Sequence, residues 1–193
     1  MMRYIPLLGA AALLAACGQS VEPLDEAAVA ARSAPVAQAF QQQLKAQLVA
    51  ALQSGGPVAA VSVCKDAAPA IAASMSEESG AKVSRIAAKH RNPQGGVPDE
   101  MLAQYDALAK QPMVNGKPAN RIWRSGEGDQ AQVHFLSAIP MQAQPCSVCH
   151  GNNIAPALQT HIDALYPGDQ ATGFVPGDMR GALLISWPAS AFR

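Results

Sequence analysis

The clearest periodic pattern lies in the first third of the chain, where apolar residues recur at every fourth position. The residues of this stripe are Val36, Phe40, Leu44, Leu48 and Leu52. Glutamines and a lysine occupy the other faces, a pattern typical of an amphipathic helix. The sequence therefore predicts a helix over about residues 25–54, with an interruption near Pro35 and an end at Gly55-Gly56.

The remaining patterns predict a second long helix followed by several strands. Residues 57–79 are alanine-rich and helical in pattern, with Pro57 at the start and a bend or restart at Pro69. Strands are predicted at residues 81–87, 120–124, 132–139 and 182–187, shorter helices at 99–110 and 157–165, and loops at 92–98 and 167–181. Glycines at 126 and 128 indicate that two of these strands form a hairpin. Helices followed by antiparallel strands predict a single α+β domain over residues 26–193.

The first residues have the character of an export signal. Met1-Met2-Arg3 provides a short positive start, and the apolar run from Leu7 to Ala16 is too short to span a bilayer, which takes roughly 20 residues. The run ends in Leu14-Ala15-Ala16-Cys17, which resembles a bacterial lipobox. The resemblance implies cleavage after residue 16, acylation of Cys17, a tether over residues 17–25 and a periplasmic, membrane-anchored lipoprotein. An ordinary signal peptide with an incidental Cys17 is the alternative.

Composition narrows the class of ligand that such a domain would bind. The formal net charge is zero and 15% of residues are charged, so the sequence shows no basic stripe of the kind that binds nucleic acid. Aromatic residues make up only 5% of a chain that is 49% hydrophobic. A core with so little aromatic bulk would gain from a large apolar insert, which a haem would supply.

The strongest chemical signal is the spacing of three residues near position 150. Cys146 and Cys149 are separated by two residues, and His150 follows at once, which is the pattern of c-type haem attachment. Two thiols one helical turn apart can reach the two vinyl groups of a haem, and the adjacent imidazole faces the iron. A structural zinc site would need two more close ligands, and a redox Cys-x-x-Cys would not need His150. The sequence therefore predicts one covalent haem c, with its iron bound by His150.

The residue types alone do not decide which side chain is the sixth ligand of that iron. Cys64 is a free thiol in an exported protein, where it needs protection by burial or by ligation, and both explanations are reasonable. Methionine is the ligand in many electron carriers. The other candidates are Met113, Met141, His90, His134 and His161.

Four stretches in order resemble a known bacterial family. They are Ala60 to Pro69 (AVSVCKDAAP), Arg91-Asn92-Pro93, Cys146 to Gly151 (CSVCHG) and Asp169 to Gly181 (DQATGFVPGDMRG). Together they are similar to the Tll0287-like (DUF3365) haem domain over roughly residues 35–187, although Gly95-Gly96 stands where the family pattern has an asparagine. The resemblance implies a PAS-like antiparallel sheet with added helices. It also implies that His150 and the Cys64 thiolate are the two axial ligands.

Three arginines are candidates to bind the haem propionates. Arg91 opens the Arg-Asn-Pro stretch, Arg85 lies on the preceding predicted strand, and Arg180 lies in a glycine-rich turn. A guanidinium pairs naturally with a carboxylate through two hydrogen bonds. A solvated surface charge is the alternative for each of them.

A haem with two side-chain ligands leaves no open position for a substrate, so the sequence predicts a haem protein that is not an enzyme. The predicted role is to sense redox state or a diatomic gas, with electron transfer to a redox partner protein at the membrane surface as the alternative. A peroxidase-like enzyme would need an open distal position. A lipoprotein without haem is the remaining possibility.

Overall fold

A computed structural model describes residues 23–192, so the predicted signal sequence, Cys17 and the predicted tether up to residue 22 lie outside the described part. Its centre is an antiparallel sheet of four strands in the order β1-β6-β5-β4. These strands are β1 (Lys82–Ile86), β4 (Asn120–Ser125), β5 (Gln132–Pro140) and β6 (Met179–Pro188). A small separate hairpin pairs β2 (Met113–Val114) with β3 (Lys117–Pro118).

The two central strands are buried on both faces. Every residue of β6 from Met179 to Trp187 is buried, as are residues 133–138 of β5. One face of the sheet packs against the long helix α1 (Glu26–Ser79), and the other packs against α2 (Leu102–Ala109). Covering on both faces explains why these strands have nearly continuous apolar sequences in place of alternating ones.

Helix α1 folds back on itself at Gly56. This residue has φ 69° and ψ −167°, a region that essentially only glycine occupies, and it is the one non-helical residue inside α1. Val29 and Met75 belong to the same buried cluster although a straight helix would separate them by roughly 70 Å, at about 1.5 Å per residue. The two halves of α1 therefore run back along each other and pack on the same face of the sheet.

Two short helices complete the described part near the cysteine motif. Helix α3 (Ser147–His150) is a single turn that follows β5, and α4 (Pro156–Leu165) comes next in the chain. Leu158 and Ile162 of α4 are buried against Val61 of α1, with Cys149 packed at the edge of the same cluster. Helix α4 thus packs against both α1 and the motif.

The α+β class predicted from sequence is confirmed, and so is the antiparallel hairpin of β4 and β5. The break at Gly55-Gly56 is also confirmed. The interruption predicted at Pro35 and the restart predicted at Pro69 are wrong, because α1 continues through both prolines. The β2–β3 hairpin was not predicted, and the helix expected at residues 99–110 begins as a 3-10 turn over Asp99–Met101.

Candidate functional site

The two motif cysteines lie on one helical turn. Cys146 is the residue that caps α3, and its carbonyl accepts hydrogen bonds from the backbone N–H groups of Cys149 (3.3 Å) and His150 (3.0 Å). Cys64, Cys146 and Cys149 are all unpaired thiols. The predicted arrangement, in which both thiols and the imidazole project from a single turn, is therefore present.

A cavity of about 740 Å³ opens beside this turn. Cys146, Cys149 and His150 form one part of its lining, and Cys64 from the second half of α1 forms another. Its volume falls within the range of about 300–1,000 Å³ that is usual for sites of small molecules and cofactors. Within residues 23–192, no group of three or more His, Cys, Asp and Glu side chains is close enough to hold a lone metal ion. The donors thus surround a space instead of a point, which fits a plate-shaped cofactor better than a zinc ion.

The apolar stripe of α1 also lines this cavity. Phe40 is buried in the core, whereas Leu44, Leu48 and Leu52 are only half-buried and face the cavity. An apolar occupant would cover the surface that the chain itself leaves open on these leucines.

The imidazole of His150 is held in one tautomer. Its Nδ1 lies 2.7 Å from the carbonyl oxygen of Ala171. Because a carbonyl can only accept, Nδ1 carries the proton and Nε2 keeps the lone pair that binds a metal. Burial lowers the pKa of His150 well below its ordinary value, and the positive charges of Arg180 and Arg91 add to the effect. The ring is therefore neutral and ready to act as a ligand at neutral pH.

Arg91, predicted to bind a propionate, contacts groups of the protein itself. Its Nη2 donates to the carbonyl of Cys149 (2.7 Å) and to Oδ2 of Asp169 (2.9 Å), and both side chains of this ion pair are buried. Among residues 23–192, Arg91 is not part of the cavity lining. The guanidinium expected to bind a propionate thus pairs with a carboxylate of the protein instead.

Cys64 is the candidate sixth ligand that faces the cavity. Burial raises the pKa of its thiol, and the nearby Arg85, Arg91 and Arg180 oppose this effect without reversing it. The free thiol is therefore protonated at neutral pH. A bound metal would be needed to hold it as the thiolate, as metal ligation does for cysteine generally.

Two arginines line the cavity with no carboxylate beside them. Arg85 and Arg180 are both in the lining, and among the described residues the lining contains no Asp or Glu. Burial lowers the pKa of Arg180 to about 9, and the like charges of Arg85 and Arg91 contribute. The Nε atoms of Arg180 and Arg91 are buried without a hydrogen-bond partner in this part of the chain. Arg180 is buried and Arg85 half-buried, so a cavity with these two cations and no internal anion suits a ligand that carries its own carboxylates.

The other predicted ligand candidates lie elsewhere. Met113 is exposed on the β2–β3 hairpin, and Met141 is buried. His134 is buried between Ser125 and Ser186, with hydrogen bonds of 2.7 and 2.8 Å to their hydroxyls. Among residues 23–192, two of the predicted axial-ligand candidates line the cavity, namely Cys64 and His150. The other five candidates are not part of the lining: Met113, Met141, His90, His134 and His161.

Asp169 and Ala171 are site residues that the sequence did not single out. Oδ1 of Asp169 accepts a hydrogen bond from the backbone N–H of Ala171 (2.8 Å), whose carbonyl in turn binds His150. Both residues lie in the DQATGFVPGDMRG stretch, so their signal was present as part of a motif without an assigned role.

Comparison with known proteins identifies a family and a solved structure that are similar to this chain. The sequence profile of the Tll0287-like family matches residues 20–188. The chain belongs to the Tll0287-like family. The crystal structure of the cyanobacterial haem protein Tll0287 has a similar fold, with a TM-score of 0.55 and 22% identity, covering 86% of this chain and 96% of that one. No curated protein sequence matches the chain.

Membership of the Tll0287-like family confirms the resemblance seen in the four stretches. The place where the chain departs from the family pattern forms a compact turn. Asn92 caps the 3-10 turn Pro93–Gly95 by accepting from the N–H of Gln94, and the carbonyl of Gly95 accepts from Ala87 at the end of β1 (2.8 Å). The turn therefore follows Arg91 directly and ties its segment to the sheet without the asparagine of the family pattern.

Proposed function

We propose that this chain is a periplasmic, lipid-anchored protein with one covalent haem c that senses redox state or a diatomic gas and catalyses no reaction of its own. The observation that carries the proposal is that Cys146, Cys149, His150 and Cys64 all line one cavity. The family match and the haem protein of similar fold support it. Acylation of Cys17 would attach the domain to a membrane, while residues 23–192 hold the cofactor.

The chain's own residues suit attachment of such a group. The Cys146 and Cys149 thiols would each add across one vinyl group, forming a carbon–sulfur bond while the thiol hydrogen passes to the vinyl. His150 would bind iron through Nε2, and Cys64 would approach from α1. The haem would supply an iron that changes by one electron and accepts a ligand when an axial position opens. The half-buried leucines of α1 would keep water from its face.

Arg85 and Arg180 are the residues that we assign to the propionates. Replacing Arg85 by glutamine should lower the haem reduction potential, because a cation near the haem favours the form with one more electron. A unit charge about 10 Å away contributes roughly 1.7 kcal/mol at an effective dielectric constant of 20, or about 70 mV for one electron. Potentiometric titration of the purified protein measures this shift. Arg121→Gln, in an exposed arginine that hydrogen-bonds Gln104, is the matched control and should change the potential little. Equal potentials in both variants would exclude Arg85 from the haem environment.

The sensing role depends on Cys64 leaving the iron while His150 stays. A thiolate favours ferric iron, so its bond should weaken on reduction, and the departing sulfur would take a proton to become the neutral thiol that burial favours. The oxidised protein should therefore bind no CO, whereas the dithionite-reduced protein should form a CO adduct, detected by its absorption spectrum. A reduced protein that forms no adduct at any pH would rule out gas sensing by this route.

One observation favours electron transfer as the second candidate. The charged residues that line the cavity are all cations, and Lys45 and Lys117 among them are exposed. The neutral chain therefore gathers positive charge around the proposed haem, where an acidic redox partner could dock. Retention of both axial bonds on reduction, with fast electron exchange and no CO adduct, would favour this candidate over sensing.

A further inference from the structure

The loop between α4 and β6 is bonded directly to the motif histidine segment. The N–H groups of Phe174 and Gly173 donate to the carbonyls of His150 (3.0 Å) and Gly151 (3.1 Å). The N–H of Gln170 donates to the carbonyl of His90, next to Arg91 (3.1 Å). The loop therefore connects the motif to the segment that follows β1.

A buried ion pair lies at the centre of these connections. The Arg91 and Asp169 side chains are only 7% and 3% exposed, and their contact of 2.9 Å is the one salt bridge found within residues 23–192. Each partner also forms a hydrogen bond with a backbone group of the motif or of the loop that contacts it. Arg91 donates to the carbonyl of Cys149, and Asp169 accepts from the N–H of Ala171. The carbonyl of Ala171 in turn accepts from Nδ1 of the imidazole.

We propose that Arg91 and Asp169 are the positioning residues of His150, and that they make it the axial ligand that is kept when the other bond opens. Four hydrogen bonds in sequence run from the Cys149 carbonyl through the guanidinium, the carboxylate and Ala171 to Nδ1. The turn that bears the imidazole and the carbonyl that orients it are thus fixed to the same ion pair. Cys64 lies instead on α1, eight residues after the break at Gly56. The proposal rests on the proposed haem function.

The energetic reason is that neither partner can be removed without leaving the other as an isolated buried charge. Breaking a buried pair in this way is strongly destabilising in other proteins. Groups that orient a metal-binding histidine typically affect metal affinity or activity by about 10–100-fold. Because the ion pair lies two hydrogen bonds from the imidazole, its loss should change the iron–histidine bond as well as destabilise the loop.

Resonance Raman spectroscopy of the reduced protein tests this directly. In the Cys64→Ala background the reduced iron should have His150 as its only axial ligand, so the iron–histidine stretching band reports how the Nδ1 hydrogen bond is held. Adding Asp169→Asn should shift this band to lower frequency and broaden it. Adding Arg91→Lys keeps the charge but loses the simultaneous contact with Asp169 and the Cys149 carbonyl, so it should give a smaller change in the same direction. This variant replaces Asp169→Asn in the test if Asp169→Asn does not fold.

Asp178→Asn is the matched control, because the Asp178 carboxylate also accepts a backbone N–H in the same loop, from Val175 at 2.8 Å. It should leave the band unchanged. An unshifted band in both Asp169→Asn and Arg91→Lys, or an equal shift in the control, would overturn the positioning role. A haem stain of denatured protein separates this result from failure of the proposed function: if the parent protein carries no covalent haem, the proposed function fails, whereas haem in every variant with unaltered bands rejects only the ion-pair role.

Discussion

Replacing Cys64 by alanine should abolish the thiolate-bound low-spin spectrum of the oxidised protein and raise the reduction potential of the haem. Cys64 is the cysteine of α1 that lines the cavity together with the motif. A thiolate donates electron density and stabilises ferric iron, and axial ligand identity moves haem potentials over about 0.8 V. Loss of this ligand should therefore raise the potential on the order of 0.2 V, which electron paramagnetic resonance and potentiometry measure together.

Ser62→Ala is the matched control for this substitution. Ser62 is exposed and lies two residues from Cys64 on the same helix, so its side chain points away from the cavity. Its replacement should leave both the spectrum and the potential unchanged. A Cys64→Ala protein with the parent spectrum would reject Cys64 as a ligand and return the choice to a methionine or another histidine.

Replacing Trp187 by alanine should produce the largest loss of stability among single substitutions in the sheet. Trp187 is 2% exposed, its Nε1 donates to the hydroxyl of Ser33 at 2.9 Å, and the Arg32 guanidinium lies 4.0 Å from its ring centroid. Truncating a buried tryptophan costs about 3–5 kcal/mol. Because Ser33 is itself fully buried and would lose its partner, the upper end of this range is expected.

Urea unfolding of the haem-loaded protein measures this free energy, and Trp123→Ala is the control. Trp123 lies half-buried on the edge strand β4, where its ring stacks on His134 at 4.9 Å. The Trp123→Ala variant should lose less free energy of unfolding than Trp187→Ala, because folding removes less of the Trp123 surface from water. Similar losses in the two variants would contradict the assignment of Trp187 to the core between α1 and the sheet.

The elements that could be predicted are those with a local cause. The stripe from Val36 to Leu52 follows from helical spacing, and the break at Gly56 follows from the backbone freedom of glycine. The effects expected of Pro35 and Pro69 were wrong because α1 packs along the sheet, and tertiary packing can outweigh the cost of proline within a helix. The β2–β3 hairpin is two residues per strand around Asn115-Gly116, too short for alternation to show.

The residues of the candidate site likewise divide into those with a local sequence pattern and those brought together only by the fold. The sequence alone predicts a haem site at Cys146, Cys149 and His150, because haem attachment depends on spacing within one turn. Cys64 required the family resemblance, since 81 residues lie between it and Cys146 and no local pattern connects them. The link from Asp169 through Ala171 to His150 depends on a loop returning to the motif, and pairing over such distances is set by the fold. The ion pair of Arg91 with Asp169 could not be predicted for the same reason.

The most direct measurement is mass spectrometry of the full-length protein purified from a bacterial host that has cytochrome c maturation machinery. We expect one haem covalently bound to the peptide that contains Cys146 and Cys149, through both sulfur atoms, and its loss when both cysteines are replaced by serine. Matured protein in which these two sulfurs are free, or are joined only to each other, would contradict the central claim.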